Sequence, residues 1–412
     1  MPAPIPTADQ RRPDDVYAWL RLVLCVLLGT LGSVGMWAVV VVLPAVQVDF
    51  AVERAQASLP YTMTMVGFGI GNVLIGRYVD RLGVMLPVAV AGTLLGLGYI
   101  LSSFTQSIWQ FALLQVMVGF GASATFGPLI ADISHWFERR RGIAVAAVAC
   151  GNYVAGVVWP TVIKLMLAGT GWRVAFIWIG VICIAGILPL SLLLRPRPPA
   201  PSDDSQRKPS LLRKPLAPSP FSPNALQGLL IVAGIACCVA MAMPQVHIVA
   251  YCVDLGFGIA RGAEMLSLML AGGIVSRLAS GFVADYIGGV RTLLIGSVLQ
   301  GLSLLLYIPF DGLASLYMVS LVFGLAQGGI VPSYAIIVRE YLPAREAGQR
   351  VGIVIMATIG GMAFGGWMSG WIYDLTGSYQ AAFLNGIAWN LLNISVMLLI
   401  LLRRPRTETV KA

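Results

Sequence analysis

Runs of about twenty apolar residues, the length needed for a helix to cross a bilayer, recur along the whole chain. Twelve are legible: Leu22–Val46, Ala57–Tyr78, Val84–Phe104, Ile108–His135, Gly142–Met166, Val174–Leu194, Ala225–Val253, Ala263–Val283, Thr292–Phe310, Leu316–Val338, Gly348–Ile372 and Ala381–Leu402. No water-soluble core can hide twelve such runs. In hydrocarbon each must satisfy its own backbone hydrogen bonds, which makes them helices. The rest of the composition agrees, with 58% hydrophobic and 11% charged residues and a mean hydropathy of +0.84. The expectation is an all-α membrane protein of twelve transmembrane helices.

The net charge of +9 would suit a nucleic-acid partner, but its distribution argues against one. With both termini on one side, 22 of the 27 Lys and Arg residues fall on that side and four on the other; Arg277 lies within a span. Basic residues collect on the cytoplasmic face of membrane proteins. Both termini are therefore expected in the cytoplasm, and the basic balance reports topology. The polar N-terminal stretch has no cleavage signal, so the first span is expected to be retained as a helix. Cys25, Cys150, Cys183, Cys237, Cys238 and Cys252 all fall in spans without metal-ligand spacing and read as small apolar residues.

Between the sixth and seventh spans, Arg195 to Pro223 is rich in Pro, Ser, Lys and Arg, the composition of a flexible linker. It separates an N-terminal six-helix bundle (1–194) from a C-terminal one (225–412), with 195–224 as the cytoplasmic linker. The halves are related. Gly76-Arg-Tyr-Val-Asp80-Arg-Leu-Gly83 and Gly281-Phe-Val-Ala-Asp285-Tyr-Ile-Gly288 both read G-x3-D-x2-G, 205 residues apart. Phe120-Gly121 before Pro128 is matched by Phe323-Gly324 before Pro332, at offsets of 203 and 204. A constant offset marks a duplicated unit, and paired repeats with a site at their interface are a transporter architecture.

Arg277 lies well inside the eighth span, about 6 Å to the cytoplasmic side of its centre at 1.5 Å per residue. A guanidinium keeps its charge there, and its mid-helix placement costs roughly 2.5–3.5 kcal/mol on insertion scales. An anionic ligand would offset that cost; a structural ion pair, or snorkelling to the interface, are the alternatives. Gly273, Ser280 and Gly281 share its helix face and leave the side chain room.

The G-x3-D-x2-G loops, the second followed by Arg291, resemble the signature loop of the major facilitator superfamily, and the resemblance covers essentially the whole chain. It implies two pseudo-symmetric six-helix bundles. Four further stretches resemble the monocarboxylate transporter-like branch, which includes the oxalate–formate antiporters. They are Trp136-Phe-Glu-Arg-Arg-Arg-Gly142, Pro244-Gln-Val-His247, Ser276-Arg277-Leu-Ala-Ser-Gly281 and Tyr373-Asp-Leu-Thr-Gly-Ser-Tyr379. That resemblance implies that Arg277 binds a substrate carboxylate. It further implies secondary transport of a small organic monocarboxylate across the cell (inner) membrane, with exchange of the oxalate–formate type as the alternative. A transport-incompetent sensor is the alternative of another class. Two departures bear on proton coupling. Gly273 stands where animal-type relatives carry Asp, and Leu22–Val46 has no charge where they carry Lys. The oxalate antiporters pair the arginine with a Lys in span 11, whereas Gly348–Ile372 has only Arg350, at its mouth. One cation suits a monoanion, since a second carboxylate would go unpaired.

Other polar residues in the spans are candidates for the same cavity. His247 is suited to bond an anion or take a proton. Tyr334, Asn152, Tyr153, Gln327, Gln115 and Tyr61 offer amides and phenols, for which interhelical hydrogen bonds are the competing role. Asp80 and Asp285, with Arg81 and Arg141 as partners, are expected to gate by forming and losing ion pairs. Asp132, near a span end, is expected to be solvated at the interface. Lys164, Asp254 and Glu264 read as anchors or gate residues. No P-loop, metal cluster or nucleophile–base pair is visible, so neither a cofactor nor an enzyme is expected. The partners expected are a small organic anion, protons as one possible coupling ion, and the bilayer; a monomer is expected.

Overall fold

The structure, a computed structural model, describes residues 14–138, 140–196, 221–343 and 346–403. It is helical throughout its ordered elements. In chain order these are α1 (Val16–Gly32), α2 (Val34–Phe50), α3 (Arg54–Leu82), α4 (Met85–Ser102), α5 (Ile108–Ser123), α6 (Gly127–Ile133), α7 (Arg141–Leu192), α8 (Pro223–Asp254), α9 (Gly258–Ile287), α10 (Gly289–Leu306), α11 (Leu313–Gln327), α12 (Ile330–Tyr341), α13 (Ala347–Thr376) and α14 (Tyr379–Leu402). Caps fix several starts. Asp15 accepts from the Ala18 N–H, Ser107 from Gln110, and Ser222 from Ala225 ahead of Pro223.

Among the described residues, eleven continuous stretches are long and apolar enough to cross a membrane. The longest, Gly142–Leu192, runs through Gly171, whose φ of 77° and ψ of 170° are not helical. A side chain is disfavoured in that region, and glycine enters it freely. This non-helical glycine falls between the fifth and sixth runs read from the sequence, Gly142–Met166 and Val174–Leu194. Three spans are broken where the apolar pattern gave no sign of it. The first parts at Ser33, the fourth between Ser123 and Gly127, and the tenth at Gly328-Gly329.

The chain folds as two compact units, Met1–Val52 with Leu59–Arg213, and Glu53–Ser58 with Lys214–Ala412. The first turn of α3 therefore packs as part of the second unit. Within the first, α3 crosses α5 so closely that a Cβ on Gly119 would lie 1.9 Å from the Thr64 carbonyl oxygen, and one on Gly67 2.1 Å from that of Val116. Within the second, α9 crosses α11 in the same way. A Cβ on Gly324 would meet Met269 O at 2.0 Å, and one on Gly272 would meet Leu321 O at 3.0 Å. All four residue pairs correspond at the 205-residue offset of the sequence repeat. The glycines thus serve helix contact, and the duplication extends to the packing.

The first unit corrects one expectation. Asp132 is not solvated at an interface. Its carboxylate accepts from Arg21 Nε (2.7 Å) and Nη2 (2.9 Å), and the two residues are 8% and 1% exposed. Arg21 also donates to the Leu194 and Pro196 carbonyls, and its guanidinium lies 4.6 Å from the Trp136 ring centroid. The arginine belongs to α1, which starts six residues before the apolar run does. It ties α1, the end of α6 and the residues after α7 together.

Candidate functional site

Arg277 sits on α9, half-buried, against the break between α11 and α12. Its Nε lies 3.4 Å from the Gly328 carbonyl oxygen. The two glycines of the break are what let it approach α9. A Cβ on Gly328 would lie 2.2 Å from Gly273 O, and one on Gly329 would lie 2.2 Å from Ser280 Oγ. Interrupting a helix exposes carbonyls on one side and N–H groups, with the positive end of a dipole, on the other. Arg277 meets a carbonyl of the first kind, and α12 starts two residues on.

Gln327, the last residue of α11, is fully buried. Its Oε1 accepts from Gln245 Nε2 at 2.5 Å, while its own Nε2 has no partner among the described residues. An unsatisfied donor is thus left one residue from the carbonyl that Arg277 meets. Tyr334 on α12 is fully buried too. Its hydroxyl bonds Asn393 Oδ1 at 3.1 Å, and Asn393 Nδ2 bonds Ser297 Oγ at 2.7 Å. The structure places this phenol in a polar seam of α10, α12 and α14.

His247 on α8 is fully buried, with both ring nitrogens engaged. Nε2 lies 2.7 Å from the Gly366 carbonyl oxygen and Nδ1 2.9 Å from the Tyr379 hydroxyl. Tyr379 in turn accepts from Arg54 Nη1 at 2.8 Å, and Arg54 Nη2 bonds Asp254 at 2.9 Å. The Tyr373–Tyr379 stretch is the cradle for this arginine. Asp374 accepts from the N–H groups of Arg54 and Ala55, capping α3, and the Tyr373 ring lies 4.6 Å from the guanidinium. Gly377, at φ 66°, turns the chain so that Ser378 caps α14 and Tyr379 faces back. A Cβ on Gly370 would meet Ser58 Oγ at 2.8 Å and Arg54 O at 2.9 Å, so the approach of α3's first turn also requires glycine there.

The remaining candidates lie in the first unit or, for Asp285, near the end of α9. Asn152 accepts from Trp37 Nε1 with both its Oδ1 and its carbonyl, at 3.1 Å each. Gln115, fully buried, donates to Ser102 Oγ at 3.1 Å and accepts from Thr64 at 3.4 Å. Tyr61 and Tyr153 are buried. Arg81 and Asp285 are exposed. The side chains of Asp80 and Arg141 lie outside the described residues, as does the linker from 197 to 220.

Sequence reasoning overlooked Arg54, Tyr379 and Gln245. Two signals were present: Tyr379 and Gln245 stand in stretches that carry the branch resemblance, and Arg54 is the charge immediately before span 2.

The sequence matches the Major Facilitator Superfamily model over residues 25–313 and 253–412. The chain belongs to the major facilitator superfamily. It is 28% identical to monocarboxylate transporter 13 of Bos taurus over 405 residues, covering 94% of this chain and 90% of that one. It is 29% identical to monocarboxylate transporter 11 of Homo sapiens over 336 residues, 76% and 67% of the two chains. Among solved structures, the nucleoside transporter NupG superposes with a TM-score of 0.71 at 14% identity, covering 93% of this chain and 99% of that one. A bacterial homologue of the lysosomal transporter Spinster gives 0.69 at 13%, covering 94% and 96%. These two speak for the superfamily fold alone. The protein is a multi-pass membrane transporter of a small molecule, and its relatives are transporters rather than enzymes.

Proposed function

We propose that this superfamily member is a secondary active transporter of a small organic monocarboxylate, working by alternating access, with Arg277 as the partner of the substrate carboxylate. The observation that carries this is the setting of Arg277. A fixed cation inside a membrane-spanning helix faces a broken helix, beside an unsatisfied Gln327 donor and the N-terminus of α12. Broken helices in transporters present such ends to charged substrates, and the guanidinium and the Gln327 N–H donor both favour an anion. The named monocarboxylate transporters among the relatives support the same class.

A single carboxylate is favoured over two. Arg350, the charge at the mouth of α13, is engaged by Glu346 at 2.8 Å and by Asn224 at 3.1 Å. The basic-residue asymmetry orients the transporter with both termini in the cytoplasm of an inner or plasma membrane. Asp80, Arg81, Arg141 and Asp285 serve as the gate on that side, and His247, Tyr334, Asn152, Tyr153, Gln115 and Tyr61 remain second-rank substrate candidates. Proton coupling and anion exchange are the two energy sources to compare.

Ligands that bind only the native state raise apparent stability. A thermal-shift panel of carboxylates on purified protein should therefore raise the melting temperature for one or more monocarboxylates. Those hits should then drive counterflow in proteoliposomes. Binding without counterflow would overturn the transport assignment, and a panel silent for all monocarboxylates would overturn the substrate class.

A further inference from the structure

With a neutral ring, the hydrogen bonds around His247 have only one consistent direction. A backbone carbonyl can only accept, so the Gly366 contact at 2.7 Å requires the proton on Nε2. In the neutral ring Nδ1 is then an acceptor, and the Tyr379 hydroxyl must donate to it. With its O–H directed at His247 Nδ1, the phenol oxygen has its lone pairs left to accept the Arg54 Nη1–H at 2.8 Å. The chain runs Arg54 to Tyr379 to His247 to Gly366. Its origin is anchored by Asp254 on Nη2 and by Asp374 on the backbone of Arg54 and Ala55.

We infer that Arg54 and Tyr379 are positioning residues for His247, fixing it as the Nε2–H tautomer with both ring nitrogens occupied, and that Tyr379 must let go before His247 can meet a substrate or a proton. The role of His247 toward substrate rests on the carboxylate-transport reading; the tautomer and its cause do not. The charged and titratable groups around the ring and around Arg54 come from several packed elements. From α3 it is Arg54, from α14 Tyr379, and from α13 Tyr373 and Asp374, which hold Arg54. From α8 itself come Asp254 and Tyr251, the latter with its ring 5.5 Å from that of Tyr379. The ring is fully buried, so its only free lone pair, on Nδ1, is the one that Tyr379 covers. The first turn of α3 is thereby a strap whose docking reads out on an imidazole about two helical turns from Asp254 along α8.

The chain has two histidines, and His135 is exposed, so a His135→Gln background leaves one imidazole to observe. Full-length protein labelled with 15N-histidine, in phosphatidylcholine–phosphatidylglycerol bilayers near neutral pH and without added carboxylate, is examined by solid-state NMR. The expected spectrum has a protonated Nε2 and an unprotonated, hydrogen-bonded Nδ1. Tyr379→Phe should move Nδ1 to the position of a free nitrogen or populate the Nδ1–H tautomer. Arg54→Gln, which leaves the phenol in place, should shift Nδ1 by less. An Nδ1–H ring in the parent protein, or an Nδ1 resonance unmoved by Tyr379→Phe, would overturn the inference. An Nδ1 resonance unmoved by Arg54→Gln would remove Arg54 from it. Loss of the carboxylate reading would change none of these signals, so the two fail separately.

Discussion

The guanidinium of Arg21 and the carboxylate of Asp132 form a two-point ion pair, 2.7 and 2.9 Å, inside the first unit and almost out of contact with solvent. Neither charge would be tolerated there alone. Breaking a buried pair by removing one partner leaves the other uncompensated, at about 3–5 kcal/mol, whereas replacing both with apolar residues is often close to neutral. Asp132→Ala should therefore lower stability in detergent by about that amount. Arg21→Met combined with Asp132→Leu should recover most of it. Unfolding curves on the three proteins check this; a double mutant as unstable as the single one would show that the arginine's bonds to Leu194 and Pro196 matter more than the pair.

Asp374, 320 residues away in sequence, caps the start of α3 through bonds to Arg54 N at 2.9 Å and Ala55 N at 2.7 Å. Losing a capping side chain costs about 1 kcal/mol. Asp374→Ala should cost that much and speed amide exchange in residues 54–58 selectively. Exchange that rises uniformly along α3 would place the cap's contribution elsewhere.

Much of this architecture was legible because membrane helices leave a coarse, one-dimensional record. Apolar length gave the spans, and the paired G-x3-D-x2-G loops gave the duplication. The breaks at Ser33, 124–126 and Gly328-Gly329 were not legible, because they interrupt the backbone without interrupting the apolar pattern. Arg277 stood out because its cost is local to its own helix. Arg21 and Asp132 did not, because each sits near a span end, where a lone charge has an innocent explanation; only their proximity, 111 residues apart in sequence, reveals a buried pair. The same holds for Tyr379 and Arg54, whose meaning lies in a contact across 325 residues.

Charge number is open to a direct check. With Arg350 engaged by Glu346 and Asn224, monocarboxylates should compete for uptake far better than oxalate or other dianions, measured where the dianions are fully ionised. Equal competition by dianions would call for a second cation at the site and favour the exchanger reading.

The proposed orientation rests on the distribution of lysine and arginine. A cysteine placed in the linker, as Ser210→Cys, should react with a membrane-impermeant maleimide only after cells are opened. Labelling from outside intact cells would reverse the topology and change the span count.

The central claim rests on Arg277, and paired measurements on Arg277→Gln and Arg277→Lys test it most directly: the melting temperature without ligand, and its rise with a carboxylate identified in the thermal-shift panel. A guanidinium holds a carboxylate by two parallel bonds in a plane, and an ammonium cannot reproduce that geometry. Both variants should fold and lose most of the ligand-induced rise, with lysine rescuing little despite its charge. An Arg277→Gln protein that is destabilised without ligand yet still stabilised by the carboxylate would contradict the assignment of Arg277 to the substrate.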